Sequence, residues 1–152
     1  MEVCILSGPI GSGKTTRLKG WIREQPSARG ILSPVEAGKR RFLHFPGGAW
    51  RAMEAEPGES DVVATPRYRF SAAAFRWAEA RLEEDLRGRP EWIVIDEIGK
   101  LELRGDGFAA FLKGMLAAQD VPRLLLVIRS ELLPEVREKF GIKTFTPWQS
   151  GA

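Results

Sequence analysis

The tightest constraint on this chain is a glycine-rich segment, residues 8–15, that follows a short apolar run at residues 3–6. The segment matches G-x-x-x-x-G-K-[ST] at every fixed position. The apolar run is short enough for a buried strand. Beyond the segment, Leu18, Trp21 and Ile22 recur at the spacing that gives a helix one apolar face. A strand, a glycine turn and a helix in this order predict a loop that binds phosphate groups at a helix N-terminus.

Each part of this loop has a physical reason to contact phosphate. Its glycines let successive backbone N–H groups turn toward an anion, and the helix that begins after Gly13 adds its dipole. Lys14 brings a positive charge to the β- and γ-phosphates, and the hydroxyl of Thr15 suits Mg²⁺. The predicted nucleotide-binding residues are Gly8, Pro9, Ile10, Gly11, Ser12, Gly13, Lys14, Thr15 and Thr16. Because these contacts are all to phosphate, the loop predicts a nucleoside triphosphate with Mg²⁺ but not the base.

A second apolar run, residues 92–95, ends in two adjacent carboxylates, Asp96 and Glu97. In P-loop proteins, an aspartate at such a strand end holds Mg²⁺ directly or through water. Asp96 and Thr15 therefore form the predicted metal site. Two adjacent residues at a strand end do not share a face, so Glu97 is free to reach the attacking water as a general base.

Apolar runs alternate with amphipathic stretches along most of the chain, which is typical of a parallel sheet flanked by helices. We therefore predict one α/β P-loop domain over residues 1–152, with a mainly parallel sheet and helices on both faces. Besides residues 3–6, strands are predicted at residues 30–33, 92–95, 124–128 and 142–145. Helices are predicted at residues 14–25, after Ser71 and Asp106 as their candidate N-caps, and before Gly141. The site is expected beyond the carboxyl ends of the strands.

The glutamate beside Asp96 also bears on the strand order. P-loop proteins with such a glutamate tend to place one extra strand between the phosphate-loop strand and the acidic strand. Residues 124–128 are the most apolar run, so we predict them at that central position. The predicted order is 5-1-4-3-2, with the strands numbered along the chain. Arg129 follows the central strand and is a candidate catalytic residue near the γ-phosphate; the alternative is an ion pair with a nearby carboxylate.

Residues 34–70 form an arginine-rich insert in this alternation. Its predicted elements are a β-hairpin of residues 41–45 and 49–53 around the turn Pro46-Gly47-Gly48, and short strands at residues 62–64 and 68–70. We expect the hairpin to cover the site. Arg40 and Arg41 are further candidates for a catalytic arginine. The only histidine, His44, is predicted to be structural.

Composition and charge exclude several classes of protein. The 23 basic and 20 acidic residues give a net charge of +3, which is too small to argue for a nucleic-acid partner. No apolar run reaches the ~20 residues of a membrane span, and the N-terminal residues lack the pattern of a signal peptide. The single cysteine, Cys4, excludes an intrachain disulfide and a cysteine zinc site. We expect a cytoplasmic protein.

Several segments resemble a small family of nucleoside-triphosphatases, typified by thermophile enzymes and by the human cancer-related nucleoside-triphosphatase. They are residues 8–16, 30–34, 38–40, 68–70 and, above all, 96–103, which read Asp-Glu-Ile-Gly-Lys-Leu-Glu-Leu. The resemblance implies a RecA-like P-loop fold and Mg²⁺-dependent hydrolysis of nucleoside triphosphates to diphosphate and phosphate, slow and with weak base preference. By position, Lys14 and Thr15 match the family's phosphate and metal residues, Asp96 its metal carboxylate and Glu97 its presumed base.

Two other functions share these motifs. A small nucleotide or metabolite kinase has the same loop and uses arginines in a lid, and it would need an acceptor pocket. A nucleotide-gated switch would use slow hydrolysis to time the release of a partner, which would need an exposed apolar patch. Glu97 could activate water or an acceptor hydroxyl equally well. Hydrolase and kinase are therefore distinguished by analysis of the reaction products.

Overall fold

The computed structural model describes residues 2–118 and 122–148. The elements in chain order are β1 (Val3–Gly8), α1 (Lys14–Ile22), β2 (Ala28–Leu32), β3 (Val35–Glu36), β4 (Lys39–Phe45), β5 (Trp50–Ala52), β6 (Val62–Ala64), β7 (Arg69–Ser71), α2 (Ala72–Arg87), β8 (Trp92–Asp96), α3 (Lys100–Leu103), α4 (Ala109–Ala117), β9 (Arg123–Arg129), a 3₁₀ turn (Ser130–Leu132), α5 (Leu133–Phe140) and β10 (Thr146–Pro147). Within these residues, no helix is both long enough and apolar enough to cross a membrane.

The main sheet follows the order β10-β1-β9-β8-β2-β4-β3, and β5 pairs with β4. The five strands from β10 to β2 are parallel, whereas β3, β4 and β5 pair antiparallel. This confirms the predicted order 5-1-4-3-2, with β9 between the phosphate-loop strand and the acidic strand. The fifth predicted strand is displaced, since β10 lies at Thr146–Pro147 and not at residues 142–145. The side chain of Arg137 binds the carbonyls of Ile142 and Lys143, which holds that backbone against α5.

Alternate residues of the parallel strands pack against helices on opposite faces of the sheet. Ile93, Ile95 and Leu126 belong to the core beneath α2, α3, α4 and α5. Val94 and Leu125 belong to the second core, which is covered by α1. Because both sides of these strands are buried, the sheet requires the continuous apolar runs seen in the sequence. Helices on both faces are therefore confirmed.

The insert extends the sheet. The hairpin β4–β5 forms as predicted, and β4 pairs with β2. The hairpin does not cover the site with its turn, because Phe45 pairs with Gly30 and the turn therefore lies toward the amino end of β2. On one side of β4, the ring of Phe42 packs edge-to-face against Phe75 at 5.0 Å and Phe108 at 5.6 Å between centroids. The Nε2 atom of His44 lies 3.0 Å from a carboxylate oxygen of Asp85 on α2, which makes the histidine structural as predicted. The hairpin is thus fixed to the domain by packing and by a hydrogen-bonded pair.

Two helix boundaries predicted from the sequence are wrong. α1 ends at Ile22, and the N–H groups of Glu24 and Gln25 bond three residues back as turns. Asp106 does not cap α4 with its side chain, because its carboxylate accepts from Arg104 Nε at 2.6 Å. The predicted cap at Ser71 is confirmed, since its hydroxyl accepts from the N–H of Ala74.

Candidate active site

The phosphate loop joins β1 to α1 at the carboxyl edge of the sheet. Gly11 and Gly13 have φ values of 73° and 80°, a left-handed conformation that side-chain-bearing residues rarely adopt. Gly13 is the N-cap of α1 and supplies no side chain to bond the first-turn N–H groups. These donors and the helix dipole therefore face the loop, as an anion site requires.

Lys14 is held by the loop itself. Its Nζ donates to the carbonyl of Pro9 at 2.7 Å and to that of Gly8 at 3.1 Å, and the residue is only 7% exposed. The positive charge is therefore fixed beside the loop. Other predicted loop residues lie in solvent: Ile10 is 65% exposed, and Ser12 and Thr16 are exposed as well.

The loop meets the acidic strand end directly. Thr15 Oγ1 donates to Asp96 Oδ2 at 2.8 Å, although the two residues are 81 positions apart. Burial raises the pKa of Asp96 to about 6, while hydrogen bonds from Thr15 and from the N–H of Ser33 oppose that shift. A hydroxyl and a carboxylate are the oxygen ligands that Mg²⁺ prefers, so this donor pair fits the ion predicted from the sequence. The predicted metal residues are thus brought together.

Ser33 is a site residue that the sequence did not single out. It follows β2, the strand that pairs with β8, and its backbone N–H donates to Asp96 Oδ2 at 3.2 Å. Its hydroxyl donates to the backbone carbonyl of Asp96. The signal in the sequence was a hydroxyl residue at the end of the predicted strand 30–33, which the predicted order 5-1-4-3-2 places beside the acidic strand.

Glu97 lies beside two arginines. Its Oε1 atom is 3.2 Å from Arg40 Nη1 and 3.8 Å from Arg129 Nε, and 19% of its side chain is exposed. Arg129 Nη1 also approaches Glu131 at 3.6 Å. For Arg129, the ion-pair alternative is therefore seen in this structure. Arg41, in contrast, pairs with Glu36 and places its guanidinium 4.4 Å from the centroid of the Trp50 ring.

The segment after Glu97 is fixed by a buried carboxylate, Glu102. Its two oxygens accept from the N–H groups of Gly99 at 2.8 Å and Phe108 at 2.9 Å. Burial raises the pKa of Glu102 to about 7, against the opposing effect of these donors. A Cβ at Gly107 would lie 2.0 Å from Glu102 Oε2, so the glycine makes room for this contact. The acidic run therefore contains a structural carboxylate, Glu102, in addition to the two carboxylates at the site, Asp96 and Glu97.

No family model matches the chain, and no curated protein matches it. Two solved structures are similar. THEP1 from the hyperthermophile Aquifex aeolicus aligns with a TM-score of 0.72 and 22% identity over 98% of this chain and 89% of that one. A human cancer-related nucleoside triphosphatase aligns with a TM-score of 0.66 and 22% identity over 98% and 88%. The likeness confirms the predicted fold, and both neighbours match the family that residues 96–103 resemble.

Proposed function

We propose that this protein hydrolyses nucleoside triphosphates to diphosphate and phosphate with Mg²⁺. The observation that carries the proposal is the 2.8 Å contact between Thr15 and Asp96, which places the loop hydroxyl, the strand-end carboxylate and the adjacent Glu97 at one edge of the sheet. The name of one structural neighbour, a human cancer-related nucleoside triphosphatase, supports the same activity. The loop geometry supports binding of the phosphates.

The residues divide the task as follows. Lys14 and the first-turn N–H groups of α1 bind the phosphates, and Thr15 with Asp96 would hold Mg²⁺. A bound Mg²⁺ would supply positive charge that stabilises the charge developing on the phosphates. Glu97 orients or deprotonates the attacking water. Arg129, at the end of β9, neutralises charge on the γ-phosphoryl oxygens. Because this set acts on the triphosphate, we propose weak preference among bases.

The test is product analysis with purified protein, ATP, GTP, CTP and UTP, with Mg²⁺ or with a chelator. Assays are run with and without nucleosides, nucleoside monophosphates and small alcohols as acceptors. The proposal predicts diphosphate and inorganic phosphate from all four nucleotides, loss of activity with the chelator, and no need for an acceptor. Phosphate found on an acceptor would replace hydrolysis by kinase activity, and the absence of turnover without a protein partner would favour a nucleotide-gated switch.

A further inference from the structure

The proposed base, Glu97, connects two arginines from different parts of the fold. Arg40 lies on β4, in the insert, and Arg129 lies at the end of the central strand β9. Both approach the same oxygen, Oε1, at 3.2 Å and 3.8 Å respectively. An insert residue therefore contacts the side chain that is proposed to activate water.

The two arginines differ in how they are held. Arg129 also approaches Glu131, and 22% of its side chain is exposed. Arg40 makes the shorter contact with Glu97, and 39% of its side chain is exposed. Because a solvent-accessible ion pair contributes little free energy, Arg40 can exchange Glu97 for another anion at small cost.

The γ-phosphate of a bound triphosphate is such an anion. A guanidinium binds phosphate oxygens with two parallel N–H donors, and hydrogen bonds of this charged kind are the stronger class. Transfer of Arg40 from Glu97 to the γ-phosphate would therefore improve phosphate binding and leave Glu97 to the water.

We propose that Arg40 distinguishes triphosphate from diphosphate: it pairs with Glu97 in the nucleotide-free protein and with the γ-phosphate in the loaded one. This inference rests on the proposed function, because it assigns the insert a role at the same site. It makes Arg40 a specificity-determining residue, and it gives a role to the start of β4, which pairs with β3 beyond the carboxyl end of β2.

The test compares the Kd of ATPγS with the Kd of ADP, both with Mg²⁺, in four proteins: the wild type, Arg40→Ala, Arg40→Lys and Arg41→Ala. Arg41 is the matched control, since it is next to Arg40 on β4, carries the same charge and contacts Glu36 and Trp50 instead. Arg40→Ala should raise the Kd of ATPγS by roughly 10-fold or more, the size expected for a lost charged hydrogen bond, and the Kd of ADP by less than about 2-fold. The Kd of ATPγS for Arg40→Lys should lie between those of the wild type and Arg40→Ala. Arg41→Ala should leave the ratio of the two Kd values, ATPγS to ADP, unchanged.

Thermal unfolding of each variant shows whether the substitutions preserve the fold. If Arg40→Ala does not fold, the comparison of Kd values is made with Arg40→Lys. Equal weakening of both nucleotides, unchanged ATPγS binding, or the same selective loss in Arg41→Ala would overturn the inference. Hydrolysis is measured in parallel with ATP. A protein that binds ATPγS through Arg40 but releases no phosphate would contradict the proposed function alone, whereas hydrolysis without Arg40-dependent selectivity would contradict this inference alone.

Discussion

The carboxyl edge of the parallel strands and the insert contribute to the candidate site in different ways. At the strand edge, Lys14 and Asp96 are buried, and their positions follow from β1 and β8, whose residues pack on both faces of the sheet. In the insert, Arg40 reaches Glu97 from an antiparallel hairpin, and more than a third of its side chain is exposed. The strand edge is positioned by strands buried on both faces, whereas Arg40 is positioned by β4, which joins the sheet beyond β2 and pairs with it antiparallel.

This difference suggests a division of labour. Rigid strand ends hold the groups that must be in place for the chemistry, because small displacements there are costly. A hairpin with an accessible arginine is suited to a residue that changes partner. Substitutions at the strand edge should therefore alter the chemical step, and substitutions in the insert should alter selectivity or stability.

The largest effect is expected at Glu97. If this carboxylate activates water, Glu97→Gln should lower kcat by roughly 10²–10⁴-fold, the usual contribution of a general base, and leave the Kd of nucleotide close to that of the wild type. Stopped-flow release of phosphate and equilibrium titration measure the two quantities. Glu131→Gln is the control, since Glu131 is also near Arg129 but more exposed. Loss of binding equal to the loss of rate would make Glu97 a structural or metal residue.

Lys14 is the second substitution at the strand edge. Lys14→Ala removes a charge that the loop holds through Gly8 and Pro9, so both nucleotide affinity and kcat should fall, the affinity by roughly 10–100-fold. Lys19→Ala, on the same helix, should leave both near wild type. Circular dichroism should show an intact fold in both variants. An unchanged hydrolysis rate in Lys14→Ala would remove the phosphate-loop assignment.

The contrast between the two regions also explains what the sequence predicted. Apolar runs such as that of Trp92–Asp96 indicate buried parallel strands. The residues at the carboxyl ends of such strands lie at the same edge of the sheet, so Asp96 and Glu97 could be predicted to lie near Thr15. The pairing of Arg40 with Glu97 could not be predicted, because it depends on β4 pairing antiparallel with β2 at the edge of the parallel strands. Ser33 was missed although the predicted order sets β2 beside β8, because its contacts with Asp96 depend on the register of that pair.

In the insert, the expected effect is on stability. His44→Ala removes the partner of Asp85, whose side chain is only 7% exposed, and a buried acceptor without its partner costs roughly 1–3 kcal/mol. Chemical denaturation measures this loss of the free energy of unfolding. The control Arg76→Ala breaks an exposed pair with Asp61 and should cost less than about 1 kcal/mol. Equal losses in the two variants would mean that His44 does not anchor the hairpin.

An effect of similar size is expected from the pH dependence of Glu102. Its pKa is raised from 4.5 to about 7, so between these pH values the folded protein keeps a proton that the unfolded chain has lost. The free energy of unfolding should therefore fall as pH rises through this range. Relative to Glu102→Gln, which cannot titrate, the wild type should lose roughly 1–3 kcal/mol between about pH 5 and about pH 8. A constant difference between the two proteins would show that Glu102 stays ionised.

The central claim is that water attacks the γ-phosphate at the edge where Thr15, Asp96 and Glu97 meet. Hydrolysis of ATP in ¹⁸O-labelled water, followed by mass spectrometry of both products, tests it most directly. We predict that the label enters inorganic phosphate, that ADP carries none, and that Glu97→Gln slows the appearance of labelled phosphate while ATP still binds. Label in ADP, or phosphate that reaches an added nucleoside or alcohol instead of water, would contradict the account.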